Sequence, residues 1–155
     1  MELRELGGRL IVLNILRRSQ MHDCLESAGL HRGQLPLLED VIAHPGTAQQ
    51  AAADRLLITP ASVAQSVKRL CKNGLLEKRP DPGNARKNAL YATEAGRRTA
   101  ADCRVHFDET DARTFAGISE EELAALAGLL DKMIQNLSDG GKCLPSFPCW
   151  KEKQA

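Results

Sequence analysis

T-A-Q-Q-A-A-A-D-R-L-L-I-T-P-A-S-V-A-Q-S-V-K-R-L-C-K-N-G-L-L-E-K-R-P-D-P-G-N-A-R-K-N-A-L-Y-A-T, residues 47–93, decides the fold. Thr47 and Gln50 have the spacing of a capping box, and Ala51, Ala52, Ala53 and Leu56 continue as a slim helix. Leu57 and Ile58 form a turn. Thr59 then caps a second helix with Pro60 at its first position, where the missing N–H costs nothing. Asn73 and Gly74 end that helix.

The second helix has two faces. Val63, Val67 and Leu70 share one stripe and are expected to pack inward. Ser62, Gln65, Ser66 and Arg69 share another, with no carboxylate among them. Such a stripe is either solvated surface or a reader of base edges. The preceding capped helix and the following basic hairpin favour the reader, because a major groove admits one helix and offers donors and acceptors to Gln, Ser and Arg. Gln65 and Arg69 are the main base-reading candidates, each worth about 1–3 kcal/mol of discrimination if bidentate.

After Gly74, Leu75 to Arg79 is a strand candidate, Asp81-Pro82-Gly83-Asn84 is turn chemistry, and Ala89 to Ala92 returns. Arg86 and Lys87 lie at the tip of this hairpin, which suits the negative potential of a minor groove. Lys68, Lys72, Lys78 and Arg79 are expected to meet phosphate or only solvent. Gln34 and Thr47 stand at helix starts, where backbone N–H groups can face a phosphate.

These features resemble the winged helix of the MarR family of bacterial regulators over residues 30–98. The resemblance rests on L-H-R-G-Q-L-P-L-L, I-T-P-A-S-V, R-L-C-K-N-G-L-L-E-K-R, D-P-G-N-A-R and T-E-A-G together. It implies a homodimer on a pseudo-palindromic operator of double-stranded DNA, typically repressing transcription. Release by a small phenolic ligand, a metal or a thiol oxidant is implied too, with an effector pocket between the winged helix and the dimer helices. The DNA-contacting set is then Gln34, Thr47, Thr59, Ala61, Ser62, Gln65, Ser66, Arg69, Lys72, Arg79, Arg86 and Lys87. The chain departs from the family pattern at Asn84 and Ala85, where Asp and Arg are usual, so Arg86 lacks an ion pair that could brace it. Leu57 stands where Gly is common, and Ala64 and Gln65 where Thr and Arg are common. The resemblance therefore transfers no operator sequence.

The rest of the 155 residues fits this frame. The fold expected is mainly α with a small β-hairpin wing, a winged helix-turn-helix plus a helical dimerisation region. One domain is expected over 1–139, with the winged helix at about 30–93, dimerisation helices at about 2–27 and 94–138, and a tail at 140–155. Leu3, Leu6, Leu10, Leu13 and Leu16 follow helical spacing, while Ile11, Val12 and Ile15 widen the apolar surface beyond one stripe. Gly7-Gly8 is expected to weaken that helix early, and Arg17-Arg18 reads as a solvated pair or as phosphate contacts. Pro36 places the start of the next helix near Gly33, with Leu35, Leu38, Val41 and Ile42 buried. Thr93 caps a long helix to about Phe115, and Ser119 with Glu122 opens the last one. There Leu123, Leu126, Leu130, Met133 and Leu137 form a coiled-coil-like seam.

Composition excludes several classes. Aromatics are 3%, which argues against binding modes built on stacked bases. The net charge of +1 is uninformative, but its distribution is not. Residues 54–98 carry ten bases against four acids, a balance of +6, whereas residues 99–137 carry three against eight, a balance of −5. No signal peptide or membrane span is read, so a cytoplasmic protein without membrane partners is expected. No catalytic constellation or cofactor motif is present, so an enzyme is not expected. Five cysteines read as reduced thiols. Cys24, near His22, and the tail pair Cys143 and Cys149 are candidates for redox or metal sensing, although their spacing matches no standard zinc site. Cys71 reads as a small core residue. A thiol- or metal-responsive sensor and a winged-helix protein adaptor remain as alternatives to the DNA-binding regulator.

Overall fold

A computed structural model describes residues 2–31, 33–81 and 83–138, with the side chains of Asp81 and of residues 84–87 outside that description. The tail with Cys143 and Cys149 also lies outside the described residues. Among the described residues, six helices and one hairpin follow in order: α1 (Leu3–Ser27), α2 (Gln34–Ala43), α3 (Gln49–Leu56), α4 (Pro60–Lys72), β1 (Leu76–Asp81), β2 (Asn84–Ala92), α5 (Glu94–Thr114) and α6 (Glu120–Leu137).

The core forms around α2, which contacts α3, α4, α5 and β2. Leu35, Leu38 and Val41 are buried as their spacing predicts, while Ile42 is only half-buried. Leu37 is buried as well, because neighbours flank this helix on more than one side. Gly33 takes a left-handed φ of 83° just before α2, and Pro36 falls in its first turn, as expected.

Helix α4 ends in a Schellman motif. The Leu75 N–H reaches back to the Leu70 carbonyl at 2.9 Å and the Gly74 N–H to the Cys71 carbonyl at 3.0 Å. This closure needs Gly74 at φ 71° and delivers the chain directly into β1. Antiparallel pairing then runs from Leu76 opposite Ala92 to Pro80 opposite Asn88, with a register shift before Asp81. Strand β2 thus starts at Asn84, well before the Ala89 read from the sequence. Beyond the hairpin, Leu90 bridges back to Thr47, tying the wing to the chain entering α3.

Thr93 caps α5 by accepting the Gly96 N–H at 3.0 Å, and its hydroxyl donates to the Gly74 carbonyl at 2.6 Å. The Ser119–Glu122 capping box of α6 forms in full. Helix α1 passes through Gly7-Gly8 without interruption and packs on α5. Neither α1 nor α6 contains a fully buried residue.

Candidate nucleic-acid interface

The expected two faces of α4 are both present. Val63, Val67 and Leu70 are fully buried. Ala61, Ser62, Gln65, Lys68, Arg69 and Lys72 are exposed, and Ser66 is half-buried at the margin. The side chains of Gln65, Lys68, Arg69 and Lys72 make no hydrogen bond or ion pair to other described residues, so their donors are available to an outside acceptor. No acid lies in the first turn of α4, and Arg69 and Lys72 lie in its last. The N-terminal end is fixed by Thr59, whose hydroxyl oxygen accepts the Ser62 N–H at 3.2 Å and meets the Ser62 hydroxyl at 2.8 Å. The two hydroxyls thus form one polar cluster at the head of the helix.

At the base of the wing, Arg79 is ion-paired with Glu77 and stacks over the Tyr91 ring at 4.6 Å. Glu77 and Tyr91 are cross-strand partners, so one arginine binds a cluster on a single face of the hairpin. Arg79 remains exposed, and an exposed pair of this kind is weak enough to yield to a phosphate. Arg86 and Lys87 belong to β2, but their side chains lie outside the described residues.

Two of the expected contact residues face inward instead. Gln34 is 1% exposed, and its side-chain oxygen accepts the His31 N–H at 2.8 Å. Its backbone N–H is also engaged, donating to the His31 carbonyl at 3.0 Å. Thr47 is buried and does not cap α3, whose N-cap is Ala48. The Thr47 N–H donates to the His44 carbonyl at 3.1 Å, and its own carbonyl accepts the Leu90 N–H at 2.9 Å. Gln50, expected to complete the box, donates to Asp54 at 2.8 Å. The bridge to Leu90 holds Thr47 extended one residue too early for capping and turns its hydroxyl into the protein.

That hydroxyl accepts a hydrogen bond from Arg55 at 2.7 Å. Arg55 also donates twice to Asp40, which is 1% exposed, through Nε and Nη2 at 2.7 Å each. The Asp40 carboxylate raises the Arg55 guanidinium above its ordinary value, through the hydrogen bond first. This brace between α2 and α3 is not legible in the one-dimensional pattern. Its one sign is an acid at Asp40 among the buried positions of α2. Arg55 counts toward the positive charge of the segment but serves the interior.

The cysteines divide by position. Cys71 is half-buried against the core, and burial raises its thiol pKa. Cys24 is half-buried and Cys103 fully buried, and both line one cleft between α1 and α5. Among the described residues no group of three or more His, Cys, Asp or Glu side chains is placed to hold a metal ion. No described helix is long and apolar enough to cross a membrane.

The sequence profile of the MarR family matches residues 28–87. The HTH-type transcriptional regulator YybA of Bacillus subtilis (strain 168) is 25% identical over 135 residues, covering 87% of each chain. The crystal structure of the transcriptional regulator SlyA superposes with a TM-score of 0.70 at 27% identity, covering 86% of this chain and 92% of that one. A Listeria monocytogenes MarR-family regulator complexed with 26mer DNA has a TM-score of 0.67 at 24% identity, covering 90% of both chains.

Proposed function

We propose that this chain, which belongs to the MarR family of winged-helix transcriptional regulators, works as a homodimeric repressor on a pseudo-palindromic operator. As a DNA-binding regulator of that family it is not an enzyme. The observation that carries the reading is α4 itself, with Val63, Val67 and Leu70 buried and the Gln65 and Arg69 side chains presented outward without partners among the described residues. Each protomer places α4 in a major groove and the hairpin over the adjacent minor groove. The 26mer bound to the Listeria regulator of like fold supports duplex DNA as the partner.

Dimerisation is supported by what α1 and α6 leave uncovered. Leu10, Ile11, Val12, Leu13, Ile15 and Leu16 are all exposed on α1, with Ile11 at 63% and Leu16 at 59%. On α6, Leu129, Leu130, Met133 and Leu137 are exposed as well. A second copy supplies the matching apolar surface under two-fold symmetry. Release by a small molecule is supported by a cleft of about 270 Å³, which lies between the dimerisation helices α1 and α5 rather than between them and the winged helix as expected from the resemblance. Arg17, Gln20, Thr110 and Arg113 give it polar groups, and Leu13 and Leu16 give it an apolar wall.

Titrating a labelled duplex at several salt concentrations tests the reading. Counterion release requires the logarithm of affinity to fall linearly with the logarithm of salt. A protein adaptor gives no such dependence and no saturable duplex binding.

A further inference from the structure

Outside the DNA-facing surface, one side-chain pair stands apart. Cys24 comes from the last turn of α1 and Cys103 from the middle of α5. Their thiols neighbour each other at the floor of a cleft of about 210 Å³ that Ser27, Thr99 and His106 also line. Cys103 belongs to the core and has no exposed surface, whereas Cys24 is half-buried and reachable from the cleft. Two thiols from separate helices, one accessible and one behind it, have the arrangement of an attacking and a resolving sulfur.

We propose that Cys24 and Cys103 are a reversible dithiol–disulfide pair, closed by exchange with a small uncharged or cationic disulfide entering the α1–α5 cleft. In the first step the Cys24 sulfur attacks one sulfur of the disulfide R–S–S–R. A Cys24–S–S–R bond forms, the R–S–S–R bond breaks, and the proton lost by Cys24 ends on the departing RS⁻. In the second step the Cys103 sulfur attacks the Cys24 sulfur. The Cys24–Cys103 bond forms, a second RSH leaves with the proton from Cys103, and no further oxidant is needed. Burial first, then the neighbouring Cys24 thiol and the Asp102 and Glu39 carboxylates, pushes the Cys103 thiol up to about 12. The second step is therefore the slow one, and the mixed disulfide at Cys24 accumulates before closure. The Asp102 carboxylate, which lines the cleft, gives it a preference for a disulfide without negative charge. Closure links α1 to α5 and encloses residues 25–102, the whole reading unit, in one covalent loop.

The test uses the full chain with Cys71→Ser, Cys143→Ser and Cys149→Ser, treated with cystamine and followed by intact mass. The expected course is one cystamine adduct, then its loss to a species lighter than the reduced protein by two hydrogens. The oxidised species melts at higher temperature, and dithiothreitol reverses both changes. Adding Cys103→Ala stops the course at the adduct, and adding Cys24→Ser prevents any reaction. Glutathione disulfide, which is anionic, reacts more slowly than cystamine. An adduct that never closes, or no adduct at all, overturns the proposal, and faster reaction with glutathione disulfide overturns its charge preference. Peptide mapping of the unsubstituted chain after cystamine and alkylation gives the same decision should the triple variant not fold. A Cys24–Cys103 linked peptide supports the pair, and its absence overturns it.

Discussion

Arg55 on α3 grips both carboxylate oxygens of Asp40 on α2, Nε to Oδ1 and Nη2 to Oδ2, at 2.7 Å each. Asp40 is 1% exposed, so water contributes almost nothing to its solvation. Removing the guanidinium leaves a buried carboxylate with only the His44 ring beside it at 3.4 Å, a loss expected to cost about 3–5 kcal/mol. Arg55→Ala is therefore expected to lower the urea midpoint severely. Asp40→Leu combined with Arg55→Met removes both charges and is expected to restore most of the loss. Equal stability of Arg55→Ala and the parent would show that the pair holds nothing together.

Leu57, in the turn between α3 and α4, sits at φ 52° and ψ 41°. Among the described residues it is the one non-glycine with positive φ. A left-handed conformation costs a side-chain-bearing residue about 1–2 kcal/mol, partly offset by the greater chain entropy glycine would lose. At 51% exposure Leu57 gives little burial in return. Leu57→Gly is thus expected to raise stability by up to about 1 kcal/mol, and Leu57→Val to lower it. Paired thermal melts check both signs.

Gly96 has no room for a side chain. A Cβ there would lie 2.1 Å from the Leu75 carbonyl oxygen, which is backbone and cannot rotate away. That carbonyl also accepts the Thr93 N–H, so moving it strains the junction where α4, β1 and α5 meet. Gly96→Ala is expected to cost on the order of 2–3 kcal/mol, read as a drop in the denaturation midpoint. An unchanged midpoint would contradict the close approach.

The exposed apolar face of α1 gives a prediction about assembly. Ile11 and Ile15 are one turn apart and are 63% and 59% exposed. Ile11→Lys with Ile15→Lys removes nothing from the protomer core but places four like charges at a two-fold interface. Sedimentation is expected to move from dimer to monomer with the far-ultraviolet spectrum retained. A stable dimer in the double variant would place the interface elsewhere.

Lys72 and Arg79 are expected to act through phosphate. Lys72→Ala or Arg79→Ala should weaken binding alike across duplex sequences and reduce the salt slope by about 1 each. The Arg79 variant should also loosen the hairpin, because it loses the Tyr91 stacking contact at 4.6 Å. Binding isotherms on specific and unrelated duplexes separate a uniform loss from a selective one.

What the sequence made legible was local. Thr59, Thr93 and Ser119 cap the helices they precede because each needs only its own next three residues. The inward stripe of α4 followed from spacing alone. The failures came where distant chain intervened. Thr47 had the composition of a cap, yet pairing with Leu90 and the bond from Arg55 determined its conformation. Gln34 had the position of a phosphate contact, yet packing of α2 buried it. Arg55 and Cys103 each gained their roles from partners 15 and 79 positions away, a separation no periodicity reports.

In the proposed complex α4 reads base pairs through Arg69. Selection of bound duplexes from random DNA at fixed salt, run in parallel on the parent, Arg69→Ala and Arg86→Ala, tests it most directly. The parent is expected to enrich an imperfect palindrome with half-sites about one helical turn apart. Arg69→Ala should lose preference at one position in each half-site, while Arg86→Ala keeps the preferences and binds more weakly. Enrichment of the same sequences at the same affinity by all three, or no enrichment by the parent, would contradict the account.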